Sequence, residues 1–287
     1  MDKTFVLPVP AELRAVCVVA APLSLPVGLG SGALALVELV TAGVPPLPWL
    51  IGPSAHCPRC VPGGLDIDSG LVRRMRAADF HLRVSAVGGP RWPPRHLTEA
   101  AALAFVLAEE TGGILLDAVT GDVEPWSGPP EPFDDGPGEF AAAEWIGVVS
   151  VPEDRGRGWT LTTAGLAVLG LPELRVTRIP EELRRPWSDV LSGLAQHLLL
   201  EQWADLEAAP ASAFREIPAE VGLTAAEVGR ATAGCPHRRG AALLALRLDP
   251  GTPGGPPTLL SVVAPAPRGP ARRTGSWRED VVTELAW

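Results

Sequence analysis

The sequence predicts an α+β protein whose mixed sheet contains a βαβ crossover, with helices packed on the sheet. Three observations carry this. Residues 80–87 alternate, with His81, Arg83 and Ser85 on one side and Leu82, Val84 and Ala86 on the other, the period of a strand. An alanine-rich stretch then places Ala100, Leu103, Val106 and Leu107 at helical spacing. A short apolar run, Ile114 to Val119, follows, with Ile114, Leu115 and Leu116 reading as a strand buried on both faces. Strand, helix and strand over this length make a crossover, so the two strands are expected to be parallel, neighbouring or nearly so.

Local signals bound these elements. Gly88, Gly89 and Pro90 stop the first strand. Thr98 stands where an N-cap would, with Glu99 at the positive end of the helix. Gly112 and Gly113 follow the last turn, where a left-handed C-cap favours glycine. Asp117 ends the second strand of the crossover. Catalytic groups collect there in α/β sheets, but a turn-capping aspartate is the commoner occupant.

Before this unit, residues 14–20 (RAVCVVA) read as a strand and residues 31–41 as a helix, closed by Gly43 and Pro45. Gly28-x-Gly30-x-x-Ala33 formally matches a dinucleotide fingerprint. The loop is too long, Pro26 intrudes and no acidic residue ends a second strand, so it is discounted. Residues 15–37 are uncharged for a membrane-spanning length, but prolines and glycines break the stretch into a buried strand, a loop and a helix, and no membrane association is expected. A short helix over 71–78 leads into the crossover.

Residues 124–138 form an acidic Pro/Gly-rich loop, in which Asp134 and Asp135 read as solvated charge rather than metal ligands. Beyond it, strands are expected at 144–151, 159–162 and 173–177, with a short helix at 163–169 between the last two. Pro180 opens a helical segment, and Pro186 restarts it at a first-turn position. Trp187, Val190, Leu191, Leu194 and Leu198 mark one face of a long helix, and His197 lies beside that face as a packed or surface histidine. Thr224 and Glu227 form a capping box for a short helix closed by Gly234. A hairpin is expected from 241–248 and 258–264. Residues 1–264 read as one α+β domain, with 1–123 and 140–264 as candidate sub-domains, and 265–287 as a flexible tail.

Composition restricts the chemistry. The 287 residues carry a net charge of −9, against a nucleic-acid binder. Lys3 is the sole lysine, and tyrosine and asparagine are absent. P-loop lysines, Schiff-base lysines, tyrosine acids and N-glycosylation are thereby excluded from the body of the chain. No nucleophile elbow and no H-E-x-x-H occurs. The N-terminus is charged and proline-punctuated, unlike a secretory leader.

The sharpest constellation is Cys57-Pro58-Arg59-Cys60 with Cys235-Pro236-His237. Two thiolates on one turn suit tetrahedral zinc, and Cys57, Cys60, Cys235 and His237 complete a Cys3His set, with His56 as a spare. A redox pair is the rival, although Val61-Pro62-Gly63-Gly64 supplies no helix N-terminus to lower a thiol pKa. Cysteines without a shared role are the commonest case for so few residues. The nine tryptophans fit core or contact surface equally well.

Two blocks, LAEETGGILLDAVTGDV and LTTAGLAVLGLPELRV, resemble a recurring pair in uncharacterised bacterial domains of unknown function. The resemblance spans residues 80–205. It implies an accessory protein of the polymorphic-toxin immunity kind and carries no catalytic residues with it. The resulting expectation is a cytoplasmic, non-enzymatic interaction or accessory protein with a basic protein partner, without nucleic acid, and with zinc as the only candidate cofactor. The competing expectation is a metal-dependent or hydrolytic enzyme using Asp, His or Cys.

Overall fold

A computed structural model describes residues 4–22, 35–41, 70, 74–75, 77–121, 123, 127–133, 136–232, 239–249, 258–266 and 276–285. The chain is α+β and divides into two compact units. One is Ala11–Asp135; the other joins Met1–Pro10 to Gly136–Trp287.

The Ala11–Asp135 unit is built on a four-stranded sheet of β2 (Leu13–Ala21), β3 (Ala35–Thr41), β4 (Phe80–Gly88) and β5 (Ile114–Asp117), in the order β3-β4-β2-β5. Helix α1 (Arg95–Thr111) packs across β2, β4 and β5. Both β4 and β5 run antiparallel to β2, so they are parallel to each other with β2 between them. The crossover is therefore present as a near-neighbour pair, and the slot inside it is filled by the strand the sequence places first. Alternation sets the two faces. Val19 pairs with Leu82 and Leu115 on one, while Val18, Ala20, Ile114 and Leu116 gather with Met75 on the other. Covered on both sides, β2 reads as a nearly continuous apolar run.

Two expectations in this unit are corrected. Residues 35–41 form strand β3 rather than a helix. The apolar run ALVELVT suits either state, and the edge of β4 offers a full ladder from Ala35 opposite Ala86 to Thr41 opposite Phe80. Thr98 is not the N-cap. The helix starts at Arg95 behind Pro94, and the Thr98 hydroxyl donates back to the Arg95 carbonyl at 3.1 Å. Gly112 does take the left-handed C-cap, at φ +61°. Residues 28–33, 71–73 and 76 lie outside the described residues, and Arg74 and Met75 are helical. No helix among the described residues is long and apolar enough to cross a membrane.

The other unit holds the mixed sheet. Its strands are β6 (Gly147–Pro152), β7 (Trp159–Ala164), β8 (Glu173–Ile179), β10 (Glu220–Thr224), β11 (Ala241–Asp249) and β12 (Leu259–Val263). Their order is β10-β11-β12-β8-β7-β6, with β12 and β8 parallel and the remaining neighbours antiparallel. A separate ribbon pairs β1 (Thr4–Pro8) with β9 (Phe214–Pro218). Short helix α2 (Ala142–Trp145) and the 25-residue α3 (Arg184–Ala208) pack together, and α3 covers β6, β7 and β8. Trp187, Val190, Leu191, Leu194 and Leu198 are buried along α3, the face their spacing marks. Helix α4 (Ala225–Ala231) starts with the expected Thr224–Glu227 capping box.

Here too the structure corrects the sequence reading. Residues 142–145 are helical, so β6 begins only at Gly147. Residues 163–164 continue β7 instead of opening a helix. The chain turns at Gly165, φ +126°, where a Cβ would stand 2.9 Å from the Trp145 carbonyl oxygen, and a 3-10 turn covers Ala167–Leu169. Residues 277–284, assigned to a flexible tail, form helix α5. It is capped by Ser276 with Glu279, and Trp277 meets Trp187 edge-on at 5.3 Å between ring centroids.

Candidate functional site

Cys57, Cys60, Cys235 and His237, together with His56, Asp134 and Asp135, lie outside the described residues, so the zinc set has no geometry here. Among the described residues no group of three His, Cys, Asp or Glu side chains is arranged to hold a metal ion. Cys17 is fully buried on β2 opposite Asp117, and burial, reinforced by that carboxylate, pushes its thiol well above the ordinary range. Such a thiol is inert. Asp117 itself closes a turn, its Oδ1 accepting from the Val119 and Thr120 amides at 2.8 and 3.4 Å.

The titratable groups with displaced pKa values in the larger unit are held by fold-internal bonds. His197 on α3 bonds Glu227 of α4 through Nδ1 at 2.9 Å and Glu201, one turn along α3, through Nε2 at 3.2 Å. The bonds to Glu201 and then Glu227 outweigh burial and raise the imidazole to about 9. For Glu227, burial pushes upward, but the bonds from His197 and Thr224 win and bring the carboxyl down to about 2. The histidine is thus an imidazolium clamp between two helices. Glu173, at the start of β8, is partly buried, which raises its carboxyl, although it accepts from the Thr163 hydroxyl and the Gly165, Leu166 and Ala167 amides. It ties the β7–β8 turn to the strand that follows.

Arg215 on β9 is buried and forms the third such group. Its Nη2 donates to the Gly170 carbonyl at 3.0 Å and its Nη1 to Oε1 of Gln202 on α3, while Gln202 Nε2 donates to the Leu169 carbonyl at 2.7 Å. Burial lowers the guanidinium to about 10. This network anchors the inner face of the β1–β9 ribbon, together with Leu7 opposite Arg215 and Phe5 opposite Ile217.

The outer face of that ribbon is different. Val6 is 59% exposed and Phe214 61% exposed, and both project from the side that carries Pro8 and Glu216. Val6 lies opposite Glu216 and Pro8 opposite Phe214, so two large apolar side chains sit diagonally beside one carboxylate. Sequence reading missed this surface because neither strand was recognised. The alternating segments TFVLP and FREIP carry the signal, but each is only five residues long. The His197–Glu227 pairing was missed because its partners are 30 residues apart on different helices.

Comparison with protein-family models, curated proteins and solved structures returns no match.

Proposed function

We propose that the chain is a non-enzymatic interaction or accessory protein that docks a protein partner on the outer face of the β1–β9 ribbon. The observation that carries this reading is the pairing of Val6 and Phe214 as neighbouring exposed apolar side chains beside Glu216. Exposed apolar groups with a polar rim characterise contact surfaces, and aromatic side chains dominate their energetics. The partner is basic: Glu216 supplies a carboxylate within the patch, and the chain's net charge of −9 steers a cation toward it. The finer reading is a cytoplasmic, immunity-like protein that neutralises a basic effector; the resemblance of residues 80–205 supports it.

The test compares affinity capture from the native host by the wild-type chain and by a Val6→Asp, Phe214→Asp variant with an unchanged circular dichroism spectrum. A stoichiometric basic protein, retained by wild type and lost by the variant, supports the reading. Retention by both, or turnover of a small-molecule substrate abolished by one Asp, His or Cys substitution, overturns it.

A further inference from the structure

The β1–β9 ribbon has two strands and therefore two outer edges. In an antiparallel pair, opposed residues alternate between those that exchange both backbone bonds and those that exchange none. The Val9 amide donates to the Ala213 carbonyl at 2.9 Å, one step beyond the Pro8–Phe214 pair. The bonded pairs are thus Leu7–Arg215 and Phe5–Ile217, and the unbonded ones are Thr4–Pro218, Val6–Glu216 and Pro8–Phe214. Proline has no N–H and stands in two of the unbonded pairs, so it costs the ladder nothing. The backbone N–H and C=O groups of Thr4, Val6 and Pro8 on one strand, and of Phe214, Glu216 and Pro218 on the other, therefore point away from the ribbon.

The two edges are not equivalent. On β9 the edge is closed at both ends: the Ser212 hydroxyl donates to the Phe214 carbonyl and accepts from the Phe214 amide, and Pro218 offers no N–H. Strand β9 also packs against α3, whereas β1 packs extensively only on β9 among the described residues. On β1 the outward Thr4 and Val6 amides meet no acceptor among the described residues. An unpaired edge is a template for another strand, and proteins blunt such edges with charge, proline or a bulge. Strand β1 carries no charge, Pro8 blunts one end alone, and Val6 at its centre is exposed.

We propose that a basic, extended segment of the protein partner adds to β1 as a third strand of the ribbon. This rests on the ribbon being the docking surface and specifies how the partner docks there. Backbone bonds to Thr4 and Val6 supply affinity, and side chains beside Val6, Phe214 and Glu216 supply selection. An added strand lies about 4.8 Å from β1 and continues the outer face. An apolar side chain opposite Val6 extends the Val6–Phe214 patch, and a lysine or arginine diagonal to it reaches across toward Glu216. A second copy of the chain is the poorer occupant, because it brings another Glu216 and another net charge of −9 to the same sheet.

The experiment is a fluorescence-anisotropy titration of the intact chain into a labelled peptide repeating Val-Thr-Lys-Thr, which places valine and lysine on one face of a strand. Hydrogen exchange of the Val6 amide is read in the free and bound states. Thr4→Pro removes an outward N–H at the first residue of β1, where proline is tolerated, and leaves Val6, Phe214, Glu216 and the ladder bonds in place. Expected are saturable binding weakened about fivefold or more by Thr4→Pro, slowed exchange at Val6 in the complex, and weaker binding of a Val-Thr-Glu-Thr peptide. No saturable binding, affinity unchanged in Thr4→Pro, unslowed exchange at Val6, or equal binding of both peptides overturns the proposal. So does self-association of the free chain that Thr4→Pro abolishes. Where the peptide outcomes fail while Val6→Asp, Phe214→Asp still loses its captured partner, strand addition alone is overturned. Peptide affinity unchanged in that double variant overturns the docking reading and the proposal with it.

Discussion

Replacing His197 by glutamine tests the electrostatic clamp between α3 and α4. Glutamine retains one hydrogen-bond donor of similar reach and removes the charge and the second ring donor. The imidazole is raised from 6.5 to about 9 in the folded protein, which caps the clamp at about 3 kcal/mol. Glu201 is 49% exposed, so water screens its half of the interaction, and the expected loss is about 1–2 kcal/mol. A raised pKa means that the folded state binds the proton more tightly than the unfolded chain. The stabilisation is therefore complete below about pH 6.5 and disappears as pH rises through about 9. Glu227, drawn down to about 2, sets the other side: its contribution is present above about pH 4.5 and fades as pH falls through about 2. Both shifts report the same contact and are not additive. The groups facing the ring are Glu201 on its own helix and Glu227 on α4, and the Thr224 hydroxyl bonds Glu227 from behind. Arg215, lowered to about 10, and the cysteines titrate in the same range in wild type and variant, so the difference between the two proteins isolates the clamp. Urea unfolding of wild type and His197→Gln from pH 5 to 10 measures the difference. A gap of about 1–2 kcal/mol at pH 6 that closes above pH 9 is expected. A gap that stays constant from pH 6 to 10 would refute the clamp.

Three further outcomes follow from packing. Gly193→Ala places a Cβ 2.7 Å from Val228 Cγ2 and 2.9 Å from its Cα, forcing α3 away from α4; thermal unfolding should show a loss of about 1–3 kcal/mol and a weaker pH dependence, because His197 and Glu227 span the same two helices. Arg215→Ala removes the donor to the Gly170 carbonyl and leaves a cavity behind the ribbon, so denaturant unfolding should register a loss of about 2–4 kcal/mol, and Arg215→Met, which refills the volume, should lose less. Leu116→Ala empties the centre of the cluster formed with Val18, Ala20, Met75 and Ile114; the expected cost is about 2–5 kcal/mol, and an unfolding midpoint within one degree of wild type would contradict that packing.

How much of this was legible depended on how far apart the deciding residues lie. The crossover, the Gly112 C-cap, the apolar face of α3, the Thr224–Glu227 capping box and the β11–β12 hairpin are specified by residues within a turn or a few positions of each other, and they stand where the sequence places them. Ser276 and Glu279 are equally local, and helix α5 was legible in that spacing although the Pro/Arg-rich stretch before it concealed the signal. Residues 35–41 are ambiguous in isolation, and the open edge of β4 decides between helix and strand. Likewise, nothing local to Phe80–Gly88 or Ile114–Asp117 announces that β2 will lie between them. The ribbon of Val6 and Phe214, the clamp on His197 and the bonds of Glu153 to the Arg178 amide and of Arg278 to the Thr177 carbonyl each join segments separated by tens to hundreds of residues. Sequence determined which segments form local structure, because propensity, capping and periodicity act over a few residues. Tertiary structure decided which charges and apolar faces meet, because those energies exist only after distant segments have been brought into contact.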